Sequence, residues 1–338
     1  MDKNTWPIAL LFAGAAVGGS YLSGYEWLRF FAFFGTWGAI GIVLTGIGLA
    51  WFGSTVLAYC HRHQIGSLHE LICRWFNEAV APGISVLTHL LLLSYAGAMI
   101  GSFVLHLTGG TFTWLFVFVI VLAAALLLLR GWTLLVSSAA LSLAGGFLLF
   151  ALLFLEQRHV PIPSLGYQLN GYWIIHALSY LGLHSLLCLM LTIPLAKRAR
   201  GEATVRFGVY AGSAGFLVFA LLGQAVLLAH WHDVHNTLTP VTAILERLSP
   251  LGSWLHALLS LLHIAVIAAA LVFALAQPLS KRHHLQLVPL LLLLFGFILV
   301  FALLATAFPS SFTFIATGAT YCGFLLLVRA LFLQRKSP

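Results

Sequence analysis

Runs of about 20 consecutive apolar residues recur from one end of this chain to the other, and each is long enough to cross about 30 Å of hydrocarbon as a helix. Polar backbone groups inside a bilayer must be paired within the protein, so such a chain folds as a bundle of membrane-spanning helices. The composition agrees. Of 338 residues, 61% are hydrophobic and 7% charged, with a mean hydropathy of +1.04, whereas soluble domains carry about a quarter charged residues. The pattern predicts ten spans, at 6–35, 37–59, 80–107, 112–129, 132–155, 172–196, 205–230, 253–278, 286–307 and 311–333, with the first and sixth interrupted.

Basic residues orient these spans. Lys3, Arg62 with Arg74, Arg130, the Lys197-Arg198-Arg200-Arg206 group, Lys281-Arg282 and Arg329-Arg335-Lys336 fall on alternate connections, while the others offer mainly Arg158 and Arg247. The positive-inside rule then predicts that both termini are cytoplasmic. The net charge of +8 is loop charge that sets topology, not a nucleic-acid surface. The first apolar run lacks an A-x-A-like cleavage site, so it reads as a retained helix rather than a signal peptide. Cys60, Cys73, Cys188 and Cys322 are scattered without C-x-x-C or zinc spacing and are expected as packing residues.

Two spans carry breaks. VGGSYLSGYE, Val17 to Glu26, interrupts the first, and Ser179, Tyr180, Gly182 and His184 sit in the middle of the sixth, within WIIHALSYLGLHSLL. Five crossings separate them, so if the two spans correspond, the halves at about 6–155 and 172–333 lie in the membrane with opposite orientation. Interrupted hydrophobic segments at matching positions of two halves point to the binding site of a secondary transporter. The competing reading is that these glycines are helix-packing contacts.

The stretch AGAAVGGSYLSGYEWLRFFAFFGTWGAIGI, Ala13 to Ile42, resembles the opening of the YkvI family of bacterial membrane proteins. In that family a glycine-rich break is followed by a G-x-E step, a phenylalanine pair and a glycine, here Gly18 and Gly19, Gly24 and Glu26, Phe30 and Phe31, and Gly35. WIIHALSYLGLH resembles the family's sixth span, with His184 where an asparagine is expected. The family is similar to the amino acid/polyamine/organocation superfamily. The resemblance implies an all-α, five-plus-five inverted repeat of the LeuT kind in one transmembrane domain of the bacterial cytoplasmic membrane. It does not define a substrate.

The breaks offer specific chemistry. A half-helix ending near Gly18 presents carbonyl oxygens that hold cations, and one beginning near Ser23 presents amides that hold anions. Gly18, Gly19, Ser20, Ser23 and Gly24, with Tyr180, Gly182 and His184 as the other wall, are therefore the expected binding residues for a zwitterion. Glu26 is the one carboxylate placed well inside the membrane, where an ionisable group is costly and marks function. Arg29, three residues on, either pairs with it structurally or leaves it to carry a proton.

Histidine is abundant, at 15 residues. His256, Ser260 and His263 fall on one stripe of the eighth span, expected to face the bundle interior. Sodium-coupled LeuT-fold proteins commonly place a hydroxyl pair there. Ser260 alone between histidines points instead to protons as the coupling ion, with sodium the lesser expectation. HWHDVH, with His230, His232 and His235, is a weaker candidate metal site in an outer loop, and TPVTAILERL, Thr239 to Leu248, reads as an amphipathic helix that caps the vestibule. The outer connection at 163–171 is expected to carry a short helix too. No nucleotide-binding or nucleophile motif is present.

The resulting expectation is a proton-coupled secondary transporter, not an enzyme, that moves an amino acid or related amine by alternating access and needs no cofactor. Its partners are a small-molecule substrate and the lipid bilayer, with no nucleic acid. Two other classes remain open: a membrane protein binding haem or metal through histidines such as His89, His176 and His184, and a transporter-like sensor that binds without moving its ligand.

Overall fold

A computed structural model of the chain describes residues 5–19, 24–156, 171–237 and 239–334. The helices are α1 (Thr5–Val17), α2 (Tyr25–Phe30), α3 (Thr36–Arg62), α4 (Leu68–Trp75), α5 (Ala81–Thr108), α6 (Thr113–Leu127), α7 (Trp132–Glu156), α8 (Tyr172–Lys197), α9 (Glu202–Ala229), α10 (Trp231–Val234), α11 (Pro240–Leu248), α12 (Pro250–His283), α13 (Leu287–Ala307) and α14 (Ser311–Gln334). No strand occurs among the described residues. Eight helices, α3, α5, α7, α8, α9, α12, α13 and α14, are long and apolar enough to cross a membrane, while α1 and α6 are shorter apolar helices. Each of the ten expected segments contains one of these. The outer connection expected at 163–171 lies, except for Gly171, outside the described residues, as do Lys3, Arg158, Arg335 and Lys336.

Local chemistry fixes the ends. Ser249 caps α12 by accepting from Gly252 N at 3.1 Å, ahead of Pro250 in the first turn, where proline loses no helical hydrogen bond. Ser67 caps α4 by accepting from Glu70 N at 3.2 Å, and Glu70 reaches back to Gly66 N at 2.7 Å, a variant of the reciprocal capping box.

α1 packs on α7, α8 and α9; α3 packs on α8 and α9; α5 packs on α13 and α14; α12 packs on α6 and α7; and α14 packs on α3 and α8. These pairings survive exchange of the two halves. Moving each partner five spans along the chain turns α1 on α9 into α8 on α3, α1 on α7 into α8 on α14, α5 on α13 into α12 on α6, and α5 on α14 into α12 on α7, all of which occur.

The basic connections gather at one end. There Arg62 donates to Glu202 at 2.7 Å, His61 to Ala196 O at 3.0 Å and Arg198 to Gln277 at 3.3 Å. Trp132, beside the Arg130 connection, packs edge-on against Phe273 at 5.2 Å. α10 and α11 lie at the other end, where Trp231 meets Phe33 at 5.1 Å.

The sixth span corrects one expectation. α8 is a continuous helix from Tyr172 to Lys197, through Gly182 and His184. Gly182 instead allows helix packing: a Cβ on Gly323 of α14 would collide with Gly182 O, and one on Gly182 would lie 3.0 Å from Thr320 O. Small residues at this crossing let two backbones touch.

Candidate functional site

α1 stops at Val17 because Gly18 adopts φ 85 and Gly24, at the head of α2, adopts φ 76. Both lie in the left-handed region that glycine enters without penalty. Stopping a helix strands its last carbonyls, and here side chains from α8 and α12 receive them. Tyr180 Oη donates to Ala16 O at 2.9 Å and Val17 O at 3.0 Å, and His184 Nδ1 donates to Ala15 O at 2.8 Å. Cys188 Sγ reaches Phe12 O at 3.5 Å. These three residues recur every fourth position of α8, so one stripe of a straight helix holds the broken end of α1. From α12, His263 Nε2 meets Gly14 O at 3.3 Å while its Nδ1 meets Ser142 Oγ of α7 at 3.1 Å.

The carbonyls expected to grip a cation are thus occupied by protein donors. Beside them Glu26 is buried, at 4% exposure. Tyr95 of α5 donates to Glu26 Oε1 at 3.2 Å, and His184 Nε2 stands 4.0 Å from Glu26 Oε2. A carbonyl only accepts, so His184 carries its proton on Nδ1, and in the neutral ring Nε2 is a lone pair. A lone pair facing a carboxylate is unfavourable unless a proton joins them. At 4.0 Å the two groups are neighbours without a hydrogen bond between them.

Tyr180 stacks on His184 with ring centroids 3.8 Å apart and packs against Phe30 and Phe31. Glu26 borders a cleft of about 690 Å³ between α2, α8 and α14, whose walls include Tyr25, Phe30, Phe34, Phe312 and Phe324. Arg29 also lines it, its guanidinium 5.3 Å from the Tyr25 ring centroid. The cleft therefore offers one carboxylate and one guanidinium within aromatic walls.

Gly18, Glu26, Tyr180 and His184 come together. A Cβ on Gly18 would lie 2.5 Å from His184 Cε1 and 2.9 Å from Glu26 Oε2. Ser20 and Ser23 lie outside the described residues. A Cβ on Gly19 would strike the flexible side chain of Met99 on α5. Gly24 lies under α11, where a Cβ would meet Val241 at 2.7 Å; α11 covers the head of α2 and lines no part of the cleft among the described residues. His256, Ser260 and His263 are buried as their stripe implied, and Ser260 Oγ donates to His256 O at 2.8 Å.

The HWHDVH histidines do not converge. His230 stands 3.9 Å from Asp233, which pairs with Arg247 at 2.7 Å, while His235 stacks on Trp231. Among the described residues no three His, Cys, Asp or Glu are gathered to hold a metal ion. His89 Nδ1 donates to Ser85 O at 2.6 Å, and His176 packs against Phe30 and Phe34.

Sequence reasoning missed Tyr95, Cys188 and Ser142. Tyr95 is the legible one, a tyrosine among Ser94, Ala96, Gly97 and Ala98 at mid-span. The other two are signalled only by partners far along the chain, Phe12 and His263.

No protein-family model matches the chain, and no curated protein matches its sequence. The YkvI resemblance therefore rests on the residues quoted for it. Solved structures do match. The transporter MhsT in complex with L-phenylalanine aligns over 95% of this chain and 87% of its own, at 13% identity and TM-score 0.67. The Eremococcus coleocola manganese transporter, bound to an aromatic bis-isothiourea compound, aligns over 97% of this chain and 76% of its own, at 15% identity and TM-score 0.62. The chain has the LeuT fold of these transporters.

Proposed function

From the LeuT fold as premise, we propose that this chain is a secondary transporter of a small zwitterion with an apolar side chain, an amino acid or close relative, coupled to protons by alternating access. The observation that carries this reading is a buried glutamate at the break between α1 and α2, beside a cleft that also holds Arg29 within aromatic walls. Arg29 is suited to a carboxylate, and the aromatic walls to an apolar side chain. The Glu26 carboxylate is suited to the ammonium end. MhsT was solved with L-phenylalanine. A manganese substrate is less consistent with this chain, because a divalent cation needs several carboxylate, imidazole or thiolate ligands together.

Protons fit the interior better than sodium. Where α1, α7 and α12 meet stands the His263 imidazole, between Gly14 O and Ser142 Oγ. Ser142 Oγ also lies 3.0 Å from Ala139 O. If its hydroxyl turns to His263 Nδ1 the ring is satisfied neutral; if it turns to Ala139 O, the ring is satisfied with both nitrogens protonated. Glu26, 4.0 Å from His184, is the second group suited to take up a proton.

The exchange-invariant packing supports a five-plus-five inverted repeat, and the clustered basic connections support cytoplasmic termini in a bacterial inner membrane. A thermal-shift screen of amino acids, amines, nucleobases and divalent metal ions tests the substrate class. Apolar neutral amino acids are expected to stabilise the protein, and Arg29→Gln to weaken them by about tenfold, the scale of one charged hydrogen bond, while leaving simple amines unaffected. Stabilisation by divalent cations alone would overturn this reading.

A further inference from the structure

At the basic end lies a second cleft, of about 1040 Å³, to which α1 and α2 contribute no residue. It is therefore not a continuation of the Glu26 site. Its rim carries Lys197 and Arg198 from the end of α8 and Lys281 and Arg282 from the end of α12, against a single carboxylate, Glu70. That carboxylate accepts from Gly66 N at 2.7 Å in the cap of α4. Among the described residues no carboxylate forms an ion pair with Lys197, Lys281 or Arg282. Arg282 donates to His69 Nε2, and His69 Nδ1 is turned to Ser85 Oγ at 2.8 Å. Burial first, and the Arg282 charge second, hold the His69 imidazole below its ordinary pKa. Lys197, Lys281 and Arg282 thus bring positive charge to the rim that no carboxylate among the described residues pairs with.

The rest of the cleft is apolar. Val86, Leu90 and Leu93 of α5 and Leu294 of α13 line it, and Val86 and Leu90 remain 60% and 45% exposed on the face α5 turns outward. Cations at the membrane edge over an aliphatic trough match a molecule with an anionic head and a hydrocarbon tail. Basic pockets between spans at the inner face recognise acidic lipid head groups in this way. A free phosphate would satisfy the cations and leave the trough empty.

We propose that this cleft binds an acidic phospholipid of the inner leaflet, its phosphate held by Lys197, Arg198, Lys281 and Arg282 and one acyl chain lying along Val86 and Leu90. The inference rests on the membrane orientation above and on no substrate assignment.

The test is thermal unfolding of the purified full chain in neutral detergent, titrated with phosphatidylglycerol, phosphatidylcholine or inorganic phosphate. Phosphatidylglycerol is expected to raise Tm saturably, with the other two inactive at the same concentration. The double variant Lys197→Gln/Lys281→Gln is expected to lose affinity roughly fivefold per charge, about 25-fold in all. Both lysines are exposed on the rim rather than in the packed interior, so the fold should persist, and an unchanged Tm in the absence of lipid checks this. Leu90→Asp should weaken the lipid without creating a response to phosphate. Equal stabilisation by phosphatidylcholine, saturation by inorganic phosphate alone, or a double variant that binds phosphatidylglycerol like the parent would each overturn the proposal.

Discussion

Gly18 is subject to two constraints at once: a left-handed backbone, at φ 85, and contact distance to the ring of His184. A matched pair of variants separates them. Gly110 has φ 93, and a Cβ there would meet nothing within 4 Å, so Gly110→Ala bears the backbone penalty alone, about 1 kcal/mol or somewhat more. Gly18→Ala should lose about 1–3 kcal/mol beyond that from crowding against His184. Equal losses in thermal unfolding would mean that the His184 contact constrains nothing. Tyr180→Phe should cost about 1–3 kcal/mol, because the Ala16 and Val17 carbonyls lose their donor in a buried site. The glycines, Glu26 and Tyr180 were legible as residue types that a membrane span admits only for a reason. Their partners were not, because the contacts from α8 and α12 to α1 join opposite halves of the chain.

At the scale of the element, α8 shows how one signal supports two structures. Ser179, Gly182 and His184 in mid-span match either a broken helix or a straight one whose polar side chains serve a neighbour, and periodicity does not distinguish them. The deciding contact, Gly182 against Gly323, is tertiary. Amides of residues 180–187 should therefore exchange with deuterium as slowly as the rest of α8, and fast exchange confined to that stretch would restore the break. α10 and α11 carry a pH-dependent link. Asp233 accepts from Arg247, which holds its carboxyl below the ordinary 3.8. A depressed folded pKa means that this contribution is complete above the ordinary carboxylate range and is lost as pH falls through the folded value. Acidification below the ordinary carboxylate range should loosen α11, seen as faster exchange of its amides, and Arg247→Gln should remove that acid sensitivity. Unchanged acid sensitivity in the variant would assign it to another group.

Over the whole molecule, the hydropathy pattern located the eight helices long and apolar enough to cross a membrane and two shorter apolar ones among the described residues, because bilayer thickness sets a length that sequence displays directly. The same pattern could not rank the two ends of the bundle by chemistry. Only packing reveals that one end joins a carboxylate to aromatic walls and the other joins cations to an aliphatic trough. Alternating access needs a ligand and a coupling ion whose affinities differ between two states of this bundle. On the proposed reading, Glu26 beside His184 supplies that difference. The most direct measurement is uptake of a neutral apolar amino acid, L-phenylalanine first, into proteoliposomes under an imposed pH gradient with sodium absent. Accumulation above equilibrium is expected when the outside is acidic, abolished by a protonophore and by Glu26→Gln, with the variant still exchanging substrate across the membrane at equal concentrations. Binding without flux, or accumulation that follows sodium, ignores pH and persists in Glu26→Gln, would contradict proton-coupled transport through this site.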